Sequence, residues 1–135
     1  MNNIVWKRVK ELNKSDIIEE FESYNYIRLP KELKSLIKEF NGARPSLKII
    51  KIDNKQEVEI KGLLSFNKED IENIHKVIEY FKKNYNNKIL PFATEPSGDY
   101  FCINLDDESV VYWKHETNEL VYISKNLDEF LCNLI

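Results

Sequence analysis

The sequence has little glycine, cysteine and histidine, and each shortage excludes a class of site. It holds three glycines among 135 residues, without a glycine-rich phosphate loop, and the G-x-S-x-G and H-E-x-x-H patterns of serine hydrolases and zinc proteases are absent. Its two cysteines lie too far apart in sequence for a disulfide framework or a zinc knuckle, and two histidines are too few for an ordinary zinc site. We therefore predict no catalytic site, no metal site and no cofactor.

Long apolar runs are also absent. No apolar stretch approaches the ~20 residues that span a bilayer, and the first residues, MNNIVWKRVKEL, carry charges where a signal peptide has its apolar segment. We expect a cytoplasmic protein with reduced thiols. With 42% hydrophobic and 32% charged residues, residues 1–135 have the composition of one globular domain, in which residues 1–14 form an arm or a short helix.

Basic residues are scarce in the last third of the chain. Residues 91–135 hold nine Asp and Glu against two lysines, Lys114 and Lys125, and so carry a net charge of −7, while the whole chain carries −3. Such a field repels nucleic acid, whose recognition needs clustered Lys and Arg. The same field attracts basic proteins. We therefore expect a protein partner, and neither nucleic acid nor a membrane.

Apolar residues at helical spacing predict four helices. The segment SDIIEEFESYNY predicts the first, and Pro30 opens a second near residues 30–40 that ends at Asn41-Gly42. A longer helix is predicted over residues 68–84, with Asn67 as its cap. Its buried stripe is expected to be Ile71, Ile74, Ile78, Phe81 and Tyr85. A last helix follows the cap Asn126.

Alternating patterns predict the strands. A hairpin is expected near residues 47–52 and 57–64, with its turn at 53–56, and a three-strand meander near 100–105, 110–115 and 120–124. Grouped antiparallel strands predict an α+β fold, a single domain with a mostly antiparallel sheet and helices packed on one face. Centring the 100–115 hairpin on its acidic turn pairs Cys102 with Trp113. The second face of the meander is aromatic and mixed, and we expect it to be partly open.

The sequence offers one nucleophilic constellation, which consists of Cys102 and His115 with Asp99 or Asp106. Cys102 and His115 share a face in the predicted register but do not lie opposite each other. A cysteine between apolar neighbours in a strand is typical of packing, and an acidic environment does not activate a thiol. We therefore predict a protein that is not an enzyme, in which His75 is a helix-flank residue paired with a glutamate.

Short motifs follow one another in a fixed order along residues 15–135. They are Leu29-Pro30, Phe40-Asn41-Gly42, Arg44-Pro45, Pro91-Phe92-Ala93, Ser97-Gly98-Asp99, Tyr100-Phe101-Cys102, Val111-Tyr112-Trp113, His115-Glu116 and Glu129-Phe130-Leu131. These motifs and their order resemble those of the SUKH superfamily of Smi/Knr-like proteins. The chain departs from the family pattern at Ala43 and Ser97, where a further glycine is frequent, and it keeps the turn glycines Gly42 and Gly98.

The resemblance implies a function. Bacterial SUKH proteins are largely immunity proteins against polymorphic toxins, and fungal relatives act in cell-wall regulation. This implies a bacterial, intracellular immunity protein that binds and neutralises a cognate toxin. The acidic last third indicates a basic toxin, as a nuclease would be. The alternative is a regulatory or scaffold protein-binding module of the same fold with no toxin partner. Neither interpretation defines the oligomeric state.

The acidic rim of the meander is the expected partner surface, with two aromatic residues as anchors. The residues are Glu95, Asp99, Tyr100, Asp106, Asp107, Glu108, Trp113 and Glu116. A solvated rim that only keeps the protein soluble is the competing interpretation.

Overall fold

The computed structural model describes residues 3–53 and 56–135. Within them the helices are α1 (Ile17–Asn25), α2 (Lys31–Phe40), α3 (Ile78–Tyr85) and α4 (Leu127–Cys132). The strands are β1 (Trp6–Lys7), β2 (Arg44–Pro45), β3 (Ile49–Lys51), β4 (Glu57–Glu59), β5 (Gly62–Leu63), β6 (Ile89–Thr94), β7 (Tyr100–Asn104), β8 (Val110–Trp113) and β9 (Leu120–Ser124). The α+β class is confirmed.

The main sheet has the strand order β5-β6-β7-β8-β9, and each neighbouring pair is antiparallel. Strands β7, β8 and β9 are the predicted meander. The predicted first hairpin is present as β3 and β4, but Gly62 and Leu63 leave it and pair with β6 in the main sheet. The predicted turn at 53–56 includes residues 54 and 55, which lie outside the described residues. The N-terminal arm contributes β1, which pairs with β2 and is not helical.

The two hairpins of the meander have loops of the same geometry. The Asn104 N–H donates to the Ser109 carbonyl at 2.8 Å, and the Lys114 N–H donates to the Glu119 carbonyl at 3.0 Å. Each loop ends on a residue with positive φ, 63° at Glu108 and 62° at Asn118. Such loops of four residues combine a turn with one left-handed residue. Both sharp reversals are therefore built without glycine.

The loop after β7 begins one residue earlier than predicted, at Leu105, and this corrects the register. Tyr100 lies opposite Trp113, and Cys102 lies opposite Val111. The predicted pairing of Cys102 with Trp113 is therefore wrong by two residues. Because side chains alternate with a period of two, the shift leaves each side chain on its predicted face.

The first face of the sheet contains the larger core. Phe101 and Tyr112 are buried there, and the ring of Phe101 lies 5.5 Å from that of Phe130 on α4. The predicted cap of α4 is confirmed, since Asn126 Oδ1 accepts the Glu129 N–H at 2.8 Å. The first face therefore packs against α4 as the apolar pattern predicted.

Helix α3 covers the second face of the sheet, which we had expected to be partly open. Phe81 of α3 packs on Cys102, Val111 and Trp113, and its ring centroid lies 5.1 Å from that of Trp113. Tyr85, one turn later, contacts the same cluster. The aromatic residues of this face therefore form a second, smaller core.

The helix predicted over residues 68–84 is wrong in its first half. The chain turns through residues 68–73, makes a short 3-10 helix at Ile74–Lys76, and becomes α-helical only at Ile78. Ile71, predicted in the buried stripe, is 84% exposed. A parallel bridge explains the difference, because Ser65 binds the backbone on both sides of Asn73 and holds Asn73 in an extended conformation.

Asn67 does not cap the predicted helix. Its side chain accepts the Asn13 N–H at 2.9 Å and donates to the Glu11 carbonyl at 2.8 Å. Asn67 therefore fastens the N-terminal arm to the domain and leaves the following residues without the predicted helix start.

Candidate protein-binding surface

The predicted acidic residues lie at opposite ends of the main sheet. Loops 95–99 and 114–119 adjoin the pair Tyr100 and Trp113, so both lie at one end. Loop 105–109 lies at the other end of β7, about 14 Å further along the strand at roughly 3.4 Å per residue. The acidic rim predicted from the sequence is therefore two separate surfaces.

We call loops 95–99 and 114–119 the acidic end. It contains three residues of the predicted set, Glu95, Asp99 and Glu116, together with Glu119. Its lysine, Lys114, lies 3.6 Å from Glu119 through Nζ and Oε1. The sequence includes Glu119 in the acidic excess of residues 91–135 but does not predict it at the site, because its position depends on the loop geometry. The acidic end keeps a negative excess.

We call loop 105–109 and its neighbours the mixed-charge end. It carries the other predicted acids, Asp106, Asp107 and Glu108. Lys88 Nζ lies 3.4 Å from Asp106, and Glu108 lines a shallow cavity of about 450 Å³. The basic residues of that cavity are Arg28, Lys31 and Lys34. Basic side chains therefore offset the acids at this end.

Asp99 holds the two loops of the acidic end together. Its Oδ2 accepts the Tyr112 hydroxyl, and its Oδ1 accepts the His115 backbone N–H at 2.9 Å and contacts His115 Nδ1. Burial by itself raises the pKa of Asp99, but these hydrogen bonds outweigh it and hold the pKa below its ordinary value. The hydrogen bond to Asp99 raises the pKa of His115. Asp99 therefore positions the surface from a half-buried site.

Glu95 orders its own loop. Its Oε1 accepts the Ser97 backbone N–H at 2.8 Å, the Ser97 hydroxyl, and the Asp99 N–H at 3.3 Å. Both Glu116 and Glu119 are exposed in the second loop. The outward charges of the acidic end are therefore carried mainly by Glu116 and Glu119.

Trp113 is a core residue and is 7% exposed. Its ring packs against Phe81 and Tyr80, and its indole N–H donates to the Tyr85 hydroxyl at 3.0 Å. Tyr100 is only half buried, and burial raises its pKa. Because α3 covers the indole, Trp113 is not available as the exposed anchor that we expected. Tyr100 keeps an accessible portion.

Cys102 and His115 make separate interactions. Cys102 is fully buried and its sulfur lies 3.9 Å from the Tyr100 carbonyl, whereas His115 is bound to Asp99. Burial raises the pKa of the Cys102 thiol well above its ordinary value, which opposes formation of the nucleophilic thiolate. These contacts give Cys102 a packing role and His115 a loop role.

His75 lies elsewhere, beside a cavity of about 780 Å³ between α1 and residues 66–79. Its Nε2 lies 2.8 Å from the Phe66 carbonyl, and its ring meets Phe21 edge to face. The predicted pairing of His75 with a glutamate is therefore wrong, since the backbone provides its partner.

Residues 3–53 and 56–135 show neither a membrane-spanning helix nor a cluster of metal-ligating side chains. None of the helices in these ranges has the length and apolar content needed to cross a membrane. Over the same ranges, no three His, Cys, Asp or Glu side chains are grouped so that they could hold a metal ion.

The sequence of the chain matches the model of a known family. The SUKH_6 family model, described as SMI1-KNR4 cell-wall, matches residues 15–131. The chain belongs to the SUKH family. The matched SUKH region includes α1 to α3, the whole main sheet and nearly all of α4.

A relative of this SUKH chain is the SPbeta prophage-derived uncharacterized protein YokK of Bacillus subtilis (strain 168). The two are 23% identical over 70 residues, which cover 49% of this chain and 36% of the relative. The match therefore spans little more than a third of the relative's length.

Proposed function

We propose that this SUKH protein is an immunity protein, which binds a cognate bacterial toxin in the cytoplasm and blocks it stoichiometrically. The family match over residues 15–131 is the observation that carries the proposal. Inhibition by binding needs a stable surface and no reactive group. The buried Cys102 thiol and the bound His115 agree with such a role.

The toxin is proposed to be a basic protein, of which a nuclease is one example. The acidic end presents Glu116 and Glu119 on a loop whose shape is set by hydrogen bonds and by the left-handed Asn118. Fixed charges of one sign speed the association of an oppositely charged partner. Speed matters because a toxin must be captured before it acts.

The proposed contact surface is narrower than the eight predicted residues. It consists of the exposed acids Glu116 and Glu119, with Glu95 and the accessible part of Tyr100 beside them. The partly buried Asp99 holds the two loops of this surface together through its hydrogen bonds. At the mixed-charge end, the basic residues around Asp106 and Glu108 weaken the attraction of a basic partner.

A growth experiment tests the function. The product of the gene adjacent to this one in its genome is expressed in a heterologous bacterial host, alone and together with this chain. The proposal expects the neighbouring product to arrest growth and this chain to restore it. A variant with Phe101→Asp, which places a charge in the core, should lose protection and so controls for an effect of expression alone.

Two results would contradict the proposal. A neighbouring product that is harmless, or one whose toxicity this chain does not relieve, argues against immunity. Either result favours the alternative, a regulatory or scaffold module of the same fold.

A further inference from the structure

The main sheet has one open edge. Strand β9 pairs with β8 on one side, and no strand of the described residues pairs with its other side. The opposite edge of the sheet is protected, because β5 has only two residues and the Leu63 N–H donates to the Ala43 carbonyl at 2.9 Å. The two edges therefore differ in their capacity to accept a new strand.

The hydrogen-bonding pattern identifies the open groups. The Lys114 N–H donates to the Glu119 carbonyl, so these two residues form a hydrogen-bonded pair. Hydrogen-bonded and non-hydrogen-bonded pairs alternate along antiparallel strands. Leu120 and Tyr122 therefore direct their N–H and C=O groups away from β8. In the described part of the chain, those outward groups have no hydrogen-bond partner.

The composition of β9 does not protect this edge. Natural edge strands are usually guarded by proline, charged residues, bulges or very short length. Strand β9 has five residues, with no proline and no charge, and the Tyr122 side chain is 60% exposed. Its register shift lies beyond Tyr122, opposite Val110. The stretch from Leu120 to Tyr122 is thus regular and has no strand on its outer side within the described residues, and its Tyr122 side chain is exposed.

The charges around β9 favour a basic occupant. Residues 114–129 carry four acids, Glu116, Glu119, Asp128 and Glu129, and two bases, Lys114 and Lys125. A basic partner lowers this negative excess. A second copy of this chain, which carries a net charge of −3, would add to it.

We propose that an extended segment of the toxin, with Lys or Arg beside an apolar residue, pairs with β9 as an additional strand of the main sheet. Main-chain hydrogen bonds to Leu120 and Tyr122 hold the segment, and Tyr122 packs against its side chains. The basic flank of the segment faces Glu116 and Glu119 at the acidic end. This inference rests on the proposed function, because it names how the same toxin docks.

Amide hydrogen exchange tests the pairing directly. The probe is the domain of the neighbouring gene product against which this chain restores growth. On its addition, the amides of Leu120 and Tyr122 should exchange at least about tenfold more slowly, since each gains a hydrogen bond and loses contact with water. The Val121 amide is the internal reference, because it already faces β8 opposite Tyr112.

Two substitutions at one position separate the backbone from the side chain. Tyr122→Ala removes the ring and keeps the N–H, whereas Tyr122→Pro removes both and is tolerated where the N–H faces solvent on an edge strand. The proline variant should bind the toxin domain at least about tenfold more weakly than the alanine variant. Circular dichroism checks that both variants keep the fold.

The outcomes separate this inference from the proposed function. If growth is restored but the Leu120 and Tyr122 amides exchange as in the free protein, the β9 pairing is overturned and the immunity role stands. If these amides are already slow in the free protein in a concentration-dependent manner, a second copy occupies the edge and the toxin segment is overturned. If growth is not restored, the proposed function itself fails.

Discussion

The carboxylate of Asp99 binds the backbone N–H of His115 at 2.9 Å, across 16 residues of sequence. This bond joins the loop between β6 and β7 to the loop between β8 and β9. It sets the spacing of the acidic side chains on both loops. The acidic end is consequently ordered before any partner arrives, which reduces the entropy lost on binding.

The pair of Asp99 and His115 predicts a pH dependence of stability. The pKa of His115 is raised above its ordinary value of 6.5. The contribution of His115 to folding stability is therefore complete below pH 6.5 and is lost as the pH rises through the raised pKa. The pKa of Asp99 is lowered, so its contribution is lost only as the pH falls through that low value. Wild-type stability, measured by urea denaturation, should therefore exceed that of His115→Gln more at pH 6 than at pH 9.

The matched control is His75→Gln, because His75 contacts a backbone carbonyl and has no carboxylate partner in its hydrogen bond. The difference in free energy of unfolding between the wild type and His75→Gln should vary less between pH 6 and pH 9 than the difference for His115→Gln. A difference for His115→Gln that grows between pH 6 and pH 9 would contradict the ionic pairing.

Trp113→Ala should act on folding. Its indole is buried among Phe81, Tyr80 and Tyr100 and bound to Tyr85, so truncation removes packing and a hydrogen bond. We expect the free energy of unfolding to fall by about 3–5 kcal/mol. Denaturant unfolding measures this, with the exposed Tyr122→Ala as control, expected to change stability by less than about 1 kcal/mol. A stable Trp113→Ala variant would place the ring outside the core.

The two cysteines should differ in reactivity. Cys102 is fully buried with a raised pKa, whereas Cys132 is exposed. Iodoacetamide should therefore modify Cys132 in the folded protein and reach Cys102 only when the domain unfolds. Mass spectrometry at increasing urea concentration follows both sites. Modification of Cys102 in the native protein, at a rate near that of Cys132, would show that the thiol is accessible.

The sequence predicted the elements with strong periodicity and clear ends. Alternation from Tyr100 to Ser124 places the meander, and Asn126 places the start of α4. It failed from residue 68 to Val77, because Asn67 binds backbone groups of the distant N-terminal arm and Ser65 binds the backbone on both sides of Asn73. The spacing of apolar residues carries no information about those tertiary hydrogen bonds.

The sequence shows the acidic excess of the candidate site but does not show how the acidic residues are arranged in space. The acidic excess of residues 91–135 is visible in the sequence, but its division between two ends depends on which loops the strand register brings together. Exposure of Trp113 likewise depended on α3, whose packing against the second face joins residues distant along the chain. The open edge of β9 follows from its place as the last strand of the sheet.

Association kinetics test the central claim, which is that the acidic end captures a basic toxin. We compare two double variants. One combines Glu116→Lys and Glu119→Lys, and the other combines Asp106→Lys and Glu108→Lys. Both variants change the net charge by the same amount, and both spare the carboxylates of Glu95, Asp99 and Asp107, which order their loops. The chain therefore provides its own matched control.

The deciding measurement is the association rate constant with the toxin domain at low salt, by stopped-flow fluorescence. We predict that the acidic-end variant associates about tenfold more slowly than the wild type, with a flatter salt dependence. The mixed-charge variant should change by less than about threefold, because basic neighbours already offset its acids. Equal rates for the two variants, or an acidic-end variant that associates as fast as the wild type, would contradict the account.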